Sequence, residues 1–297
     1  VALDTDFAMT VSSGQATVAE ANTMAAFSTS GAITATISNT DIAELDDLTT
    51  SNADQLTITV ASTSATASQL TTVAGATGLN VTATSVTGIS GSATQLVTLV
   101  GLEGTSGDTI NLKEDVAITV SDTGSVAADD LTTINGVTTG LVTATNASTI
   151  TGTSSALVTL INAEGNSGDK VNLDGDFAVT VSDGTTTADQ LNTINSKTTS
   201  LVTATAVSTV SGSVNDLLTL ISNEGTSGDK VDLAAGVAIT VTDTGSVAAT
   251  DIATINGLTT GLVTATNIGT VTGTSSALNT LAGVEGSSGN AVDLKTD

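Results

Sequence analysis

Along this chain short runs of aliphatic residues alternating with threonine or serine give way to aliphatic residues at helical spacing, and the pair of patterns returns about every thirty residues. In LVTATNASTITG, Val142 and Ala144 alternate with Thr143 and Thr145 before a second extended run around Ile150, the period-two signature of half-buried strands. A short helix is predicted next. Ser154 or Ser155 is placed to cap it, Ala156, Leu157, Leu160 and Ile161 form its apolar stripe, and Gly165 is placed to end it in a left-handed conformation. The preceding segment repeats the scheme, with Val116, Ile118 and Val120 facing one way, Ser125 as cap, Leu131 and Ile134 on the helix, and Asn135-Gly136 at its close.

Three segments starting at Gly107, Gly168 and Gly228 align almost residue for residue, at steps of 61 (168 − 107) and 60 (228 − 168). Each divides again into two related halves. An aliphatic-then-hydroxyl pair runs through Ile58-Thr59, Ile89-Ser90, Ile118-Thr119, Ile150-Thr151, Val179-Thr180, Val210-Ser211, Ile239-Thr240 and Val271-Thr272, and Met9-Thr10 and Ile37-Ser38 extend it toward the start. One such half holds too few Val, Ile and Leu to shield its own apolar face, so neighbours must cover one another. The expected fold class is therefore a repeat solenoid: a parallel β-solenoid with a strand-strand-helix coil of ~30 residues and about ten coils, in which consecutive pairs such as Ile118 and Ile150 form neighbouring rungs. At ~4.8 Å per strand ten rungs would extend about 48 Å. The lack of proline suits strands that donate hydrogen bonds on both sides. Independent sixty-residue beads would need linkers, and no linker composition separates the repeats.

Residues 1–52 are expected to form divergent coils, a candidate cap containing Phe7, Met24 and Phe27, and residues 53–297 the regular coils. The closing GNAVDLKTD, residues 289–297, matches GDKVNLDGD at 168–176 and starts a further unit in mid-coil. The expected partners are thus other copies of this chain or further repeats of it. Residue 1 is Val and no basic stretch precedes an apolar one, so no signal peptide is expected in these residues and the numbering is expected to begin inside a mature or longer chain.

Composition narrows the chemistry. Thirty Asp and Glu stand against five Lys and no Arg, a formal net charge of -25, and His, Cys, Trp and Tyr are absent. An imidazole base, a thiolate nucleophile and the usual zinc sites are excluded. So acidic a chain, with no arginine and only three Phe to stack on bases, is not expected to bind nucleic acid. Its apolar runs are far too short for membrane insertion. The acidic pairs Asp46-Asp47 and Asp129-Asp130 are the remaining acid-base candidates, and sequence neighbours on a short helix do not face one pocket; no catalytic residue is assigned and no enzyme is expected.

The segment TVSDTGSVAADDLTTINGVTTGLVTATNASTITGTSSALVTLI resembles repeats in very large extracellular and cell-surface proteins of marine bacteria, notably cyanobacteria, of adhesin or surface-layer type. The resemblance covers about residues 53–297 and rests on repeat style and composition. It implies a secreted or surface-attached protein used for coating, adhesion, motility or filament formation; with no catalytic residue assigned, the expected function is that of an extracellular structural repeat protein, a segment of a cell-surface filament, surface layer or adhesin stalk, with a cell surface or extracellular matrix as a further partner.

Two features suggest ligands. A loop recurs with Glu103 and Asp108, Glu164 and Asp169, and Glu224 and Asp229 at its ends, and Asp122, Asp183 and Asp243 mark a second series at corners. Oxygen donors of this kind suit Ca2+, which would make the chain a calcium-dependent adhesion module with no other cofactor required. The GxSGDxxxL text is similar to calcium-binding glycine-rich nonapeptide repeats but lacks their tandem glycines, and turn closure with surface solubility accounts for the same residues. The chain also holds 62 Thr, and a continuous file through Thr119, Thr151, Thr180, Ser211, Thr240 and Thr272 would be the basis of an ice-binding face, although β-branched residues suit any sheet surface.

Overall fold

A computed structural model describes residues 7–28 and 30–294. Residues 1–6 of the divergent start and 295–297 of the closing segment lie outside the described residues. Ten helices occur among those described: α1 (Val18–Phe27), α2 (Ile42–Leu45), α3 (Ala67–Gly75), α4 (Ala93–Val100), α5 (Ala128–Asn135), α6 (Ser154–Asn162), α7 (Ala188–Asn195), α8 (Val214–Asn223), α9 (Ala249–Asn256) and α10 (Ser275–Ala282). Short strands lie between them and pair in parallel, so the chain is a parallel β-solenoid-like repeat. The described residues fall into two compact units. One comprises those of Val1–Thr123, Asp130–Ala147 and Ala163–Leu173, and the other Gly124–Asp129, Ser148–Asn162 and the described part of Asp174–Asp297.

The first unit contains a complete five-stranded sheet whose central file reads Ala65, Ile89, Ile118, Val142 and Val171, each the pairing partner of the next. The second unit contains two sheets of the same construction, with files Val126, Ile150, Val179, Val202, Val231 and Thr186, Val210, Ile239, Val263, Val292. Every side chain in these files is buried. Each file holds one aliphatic or threonine side chain per coil, and stacking removes it from water, at about 1.5–3 kcal/mol for a Val, Leu or Ile.

The pairing corrects the expected ladder. Ile89 with Ile118, Ile150 with Val179, and Val210 with Ile239 are neighbouring rungs as expected. Ile118, however, pairs onward with Val142 and not with Ile150, whose earlier partner is Val126; Val179 likewise pairs with Val202, and Ile239 with Val263. The cause is unequal coil length. The coil carrying α4 runs from Ile89 to Ile118, whereas the one carrying α5 closes sooner, from Ile118 to Val142, and the extra chain of the longer coil forms the recurrent acidic loop. Two rungs, from Ile89 to Val142, therefore take up less chain than one double repeat of the sequence. Each sheet consequently steps through five different strand positions of the repeat before it ends.

Several local expectations also shift. Alternate coils contain a third strand, so Ser125 lies in the strand Ser125–Ala127 and does not cap α5. Helix α6 is capped one residue early, the Ala156 N–H donating to Thr153 Oγ1 at 3.2 Å. The left-handed glycine of that coil is Gly168, at φ 67, and not Gly165. Capping boxes formed by Thr17 with Glu20, Thr66 with Gln69, Ser92 with Gln95, and Thr187 with Gln190 fix the starts of α1, α3, α4 and α7.

Two devices built from small residues set the spacing of coils. The first is glycine over alanine: a Cβ on Gly212 would meet the Ala188 Cβ at 2.9 Å, and one on Gly91 would meet the Ala67 Cβ at 3.0 Å. The second is a buried threonine at a corner, in a Thr-Thr-Gly or Thr-Thr-Ser text for Thr138, Thr198 and Thr259 and in Thr77-Gly78-Leu79 in an earlier coil. Thr138 Oγ1 donates to the Val116 carbonyl at 2.6 Å and accepts from the Gly140 N–H at 2.9 Å; Thr77, Thr198 and Thr259 occupy the same place. One hydroxyl thus joins two coils where the strand ladder breaks.

Gly212→Ala is expected to destabilise the fold by about 1–3 kcal/mol through overpacking, while Gly245→Ala, where a Cβ meets nothing within 4 Å, is expected to be near neutral; urea unfolding midpoints compare the two. Thr138→Val keeps the shape but strands a buried carbonyl and an N–H, and is expected to cost about 1–3 kcal/mol, with Thr138→Ser recovering most of it in the same assay.

Candidate functional site

The aspartates Asp122, Asp183 and Asp243 prove to be caps that reach between coils. Asp122 Oδ2 accepts from the Ala93 N–H at 2.7 Å, and Asp243 Oδ2 from the Val214 N–H at 2.7 Å. Asp183 takes the Ser154 N–H at 2.8 Å on Oδ1 and the Ser154 hydroxyl at 2.7 Å on Oδ2. In each case the carboxylate sits at the first turn of α4, α6 or α8 from 29 residues further on. Negative charge there satisfies an N–H that the helix leaves open and lies favourably against the helix dipole. Asn39 caps α1 and Ser62 caps α2 from the following coil in the same manner.

The glutamates belong to the loop that lengthens alternate coils. Glu103, Glu164 and Glu224 form isolated parallel bridges with Ile110, Val171 and Val231, and the fourth copy pairs Glu285 with Val292. Around Glu103 the Gly104 N–H donates to Ile110 O at 3.0 Å, and the Ile110 N–H returns to Leu102 O at 2.9 Å. Gly107, Gly168, Gly228 and Gly289 turn each loop at φ between 67 and 75, a region in which a side chain is strained. Of the loop aspartates, Asp108 accepts from Asn52 Nδ2 at 3.4 Å and Asp169 from Asn135 Nδ2 at 3.1 Å; Asp229 follows Gly228 in the equivalent place. Among the described residues no three acidic side chains come together in a group able to hold a metal ion. The expected donors are thus distributed between caps and loop backbones.

Two exposed carboxyls are held below their ordinary range. Hydrogen bonds from the Thr17 N–H and hydroxyl hold the Glu20 carboxyl below its ordinary range, and the Lys113 ammonium does so for Asp115. Each favours the fold at neutral pH, and that contribution fades as pH falls through the carboxylate range. Asp129 and Asp130 stand in the first turn of α5, the former exposed and the latter half-buried.

The threonine file is also broken by the pairing scheme. Thr119 pairs with Ser90 and Thr143, not with Thr151, and its file ends on Asn172. Thr151, Thr180 and Thr203 form another that ends on Asp232. No helix among the described residues is long and apolar enough to cross a membrane. An open apolar groove on α1 is lined by Met9, Thr23, Met24, Ala26 and Phe27. Sequence reasoning named Met24 and Phe27 only as members of a cap; the structure shows them at the surface, Phe27 being 51% exposed.

No family model matches the chain, and neither a curated protein nor a solved structure matches it.

Asp183→Ala is expected to lower stability by about 0.5–2 kcal/mol as the loss of a helix cap, and Asp183→Asn to lower it less. Because the role is capping, the loss should be the same in calcium and in chelator, as thermal unfolding in the two buffers will show.

Proposed function

We propose that this chain is a non-catalytic structural repeat segment of an extracellular assembly, such as a cell-surface filament, surface layer or adhesin stalk. The observation that carries the reading is the use of polar side chains to join coils: Asp122, Asp183 and Asp243 cap helices one coil away, and Thr77, Thr138, Thr198 and Thr259 bridge carbonyls between coils. Side chains committed in this way serve cohesion. The same five-stranded sheet is built three times with the same register, as suits a chain that grows by repetition.

Charge supplies the second support. At -25 the surface repels other copies at low ionic strength, and salt shortens that repulsion to about 8 Å at physiological strength. The extracellular setting is carried by the resemblance of the repeats to bacterial surface proteins.

Immunogold labelling of intact, unpermeabilised cells is expected to place the protein on the exterior in continuous filaments or layers. Label confined to the cytoplasm would overturn the reading. In solution, light scattering of the purified chain is expected to rise as sodium chloride is raised from low to physiological strength.

A further inference from the structure

Three sheet ends inside this fold are closed by the acidic loops. Helices α5, α7 and α9 lead without such a loop into the strands Val142–Thr143, Val202–Ala204 and Val263–Ala265, and each of these pairs with a strand on both sides. Helices α4, α6 and α8 lead into the loops of Glu103, Glu164 and Glu224 and only then into Ile110–Leu112, Val171–Asn172 and Val231–Leu233. Each of these three pairs with one strand and ends its sheet. A loop in the coil and the end of a sheet therefore coincide, and each such strand is followed along the chain by further coils.

Backbone direction shows what the loop does there. In a parallel pair one residue of a strand turns its N–H and C=O toward the neighbour on one side, and the next residue turns them to the other. Lys170 O and Asn172 O accept from the Val142 and Ala144 N–H groups at 2.9 and 2.8 Å, so the intervening Val171 faces away from that strand. Its N–H donates to Ala163 O at 3.0 Å, and its carbonyl accepts from the Gly165 N–H at 3.1 Å. Ile110 is held alike by Leu102 O and the Gly104 N–H, and the Val231 carbonyl accepts from the Gly225 N–H at 3.1 Å. Three residues of loop thus take the groups that an added strand would need. The loop is fastened elsewhere as well. The Glu103 and Glu224 N–H groups donate to Val100 O and Ile221 O at 3.2 and 3.3 Å, and Asn52 and Asn135 from an earlier coil hold Asp108 and Asp169. Beyond the bonded residues, 105–108, 166–169 and 226–229 are exposed and turn at Gly107, Gly168 and Gly228, so the outermost chain is a turn and not a strand.

We propose that each acidic loop is a strap over a sheet edge: it occupies the pairing groups of the last strand, so that a strand from a second copy of this chain cannot add there, and its carboxylates repel an approaching copy. A bare edge strand is a template for such pairing. The role also accounts for a recurrent cost. Glu103, Glu164 and Glu224 stand just past the ends of α4, α6 and α8, where negative charge works against the helix dipole, and turn closure alone does not call for it. The inference goes beyond the structural reading above, since it concerns the sheet edges wherever the chain acts.

Opening the strap in the full chain tests this. Gly107→Val, Gly168→Val and Gly228→Val are combined, because a β-branched residue is strained at a φ of 67 to 75, and Gly245→Val, where a Cβ meets nothing within 4 Å, is the control. Amide hydrogen exchange followed by NMR is expected to find the Ile110 and Val171 N–H groups protected in the wild type and exchanging at least about tenfold faster in the triple variant. Exchange at Val179, which has a paired strand on each side, is expected to be unchanged. At physiological salt the triple variant is expected to form aggregates that bind thioflavin T, while the wild type and the control stay dye-negative at the same concentration. Circular dichroism and thermal unfolding establish that the variant folds; if the triple variant does not, Gly168→Val alone is read at Val171. Wild-type exchange at Val171 as fast as in the exposed turn, unchanged exchange in the variant, faster exchange without dye-positive association, or a dye-positive wild type would each overturn the strap. Cytoplasmic label in cells would reject the structural reading above and leave this inference standing.

Discussion

The constraint on which this fold depends is that no single coil can keep its aliphatic side chains dry. A coil contributes one to three short strands and a helix of four to ten residues, and its central residue is buried only because another coil lies on either side. Parallel strand pairing provides that stacking together with the backbone hydrogen bonds. Everything else, from the glycine opposite alanine to the aspartate reaching back to the previous helix, maintains the separation at which those rungs meet.

The polar surface follows from the same constraint. A helix starting in every coil would leave a row of open N–H groups, and at α1, α2, α4, α6 and α8 the following coil supplies an acceptor. Asp122, Asp183 and Asp243 read in sequence as a periodic acidic series, and in three dimensions they are joints of the stack. The buried threonines work similarly: Thr138 lies where the ladder cannot supply a bond, and its hydroxyl both donates and accepts there.

Much of the fold was legible because periodicity reports burial. Val116, Ile118 and Val120 are buried as alternation requires, and Leu157, Leu160 and Ile161 are buried on α6 as helical spacing requires. Partner choice was not legible. Sequence likeness matches Ile118 with Ile150, whereas pairing depends on how much chain each coil takes up, and that is fixed by the acidic loop and its left-handed glycine. The capping role of Asp183 was hidden for a related reason: its partner lies 29 residues earlier, and only coordinates show which helix start it meets. The burial of Thr138, Thr198 and Thr259 had a signal in the recurrent Thr-Thr-Gly or Thr-Thr-Ser corner, which is easily lost among 62 threonines, and Thr77, followed by Gly78-Leu79, departs from it.

The mismatch between coil length and repeat length has a genetic corollary. Sheets open at Ser64, Ser125, Thr185 and Ser246, one for each double repeat, so the register is renewed once per double repeat. Recombination between homologous copies that adds or deletes a whole double repeat inserts or excises one sheet and leaves the remaining pairings unaltered. A crossover at the half-repeat would join a short coil to another short coil and break the order. Selection for a functional product therefore permits this architecture to vary in copy number in quanta of one sheet.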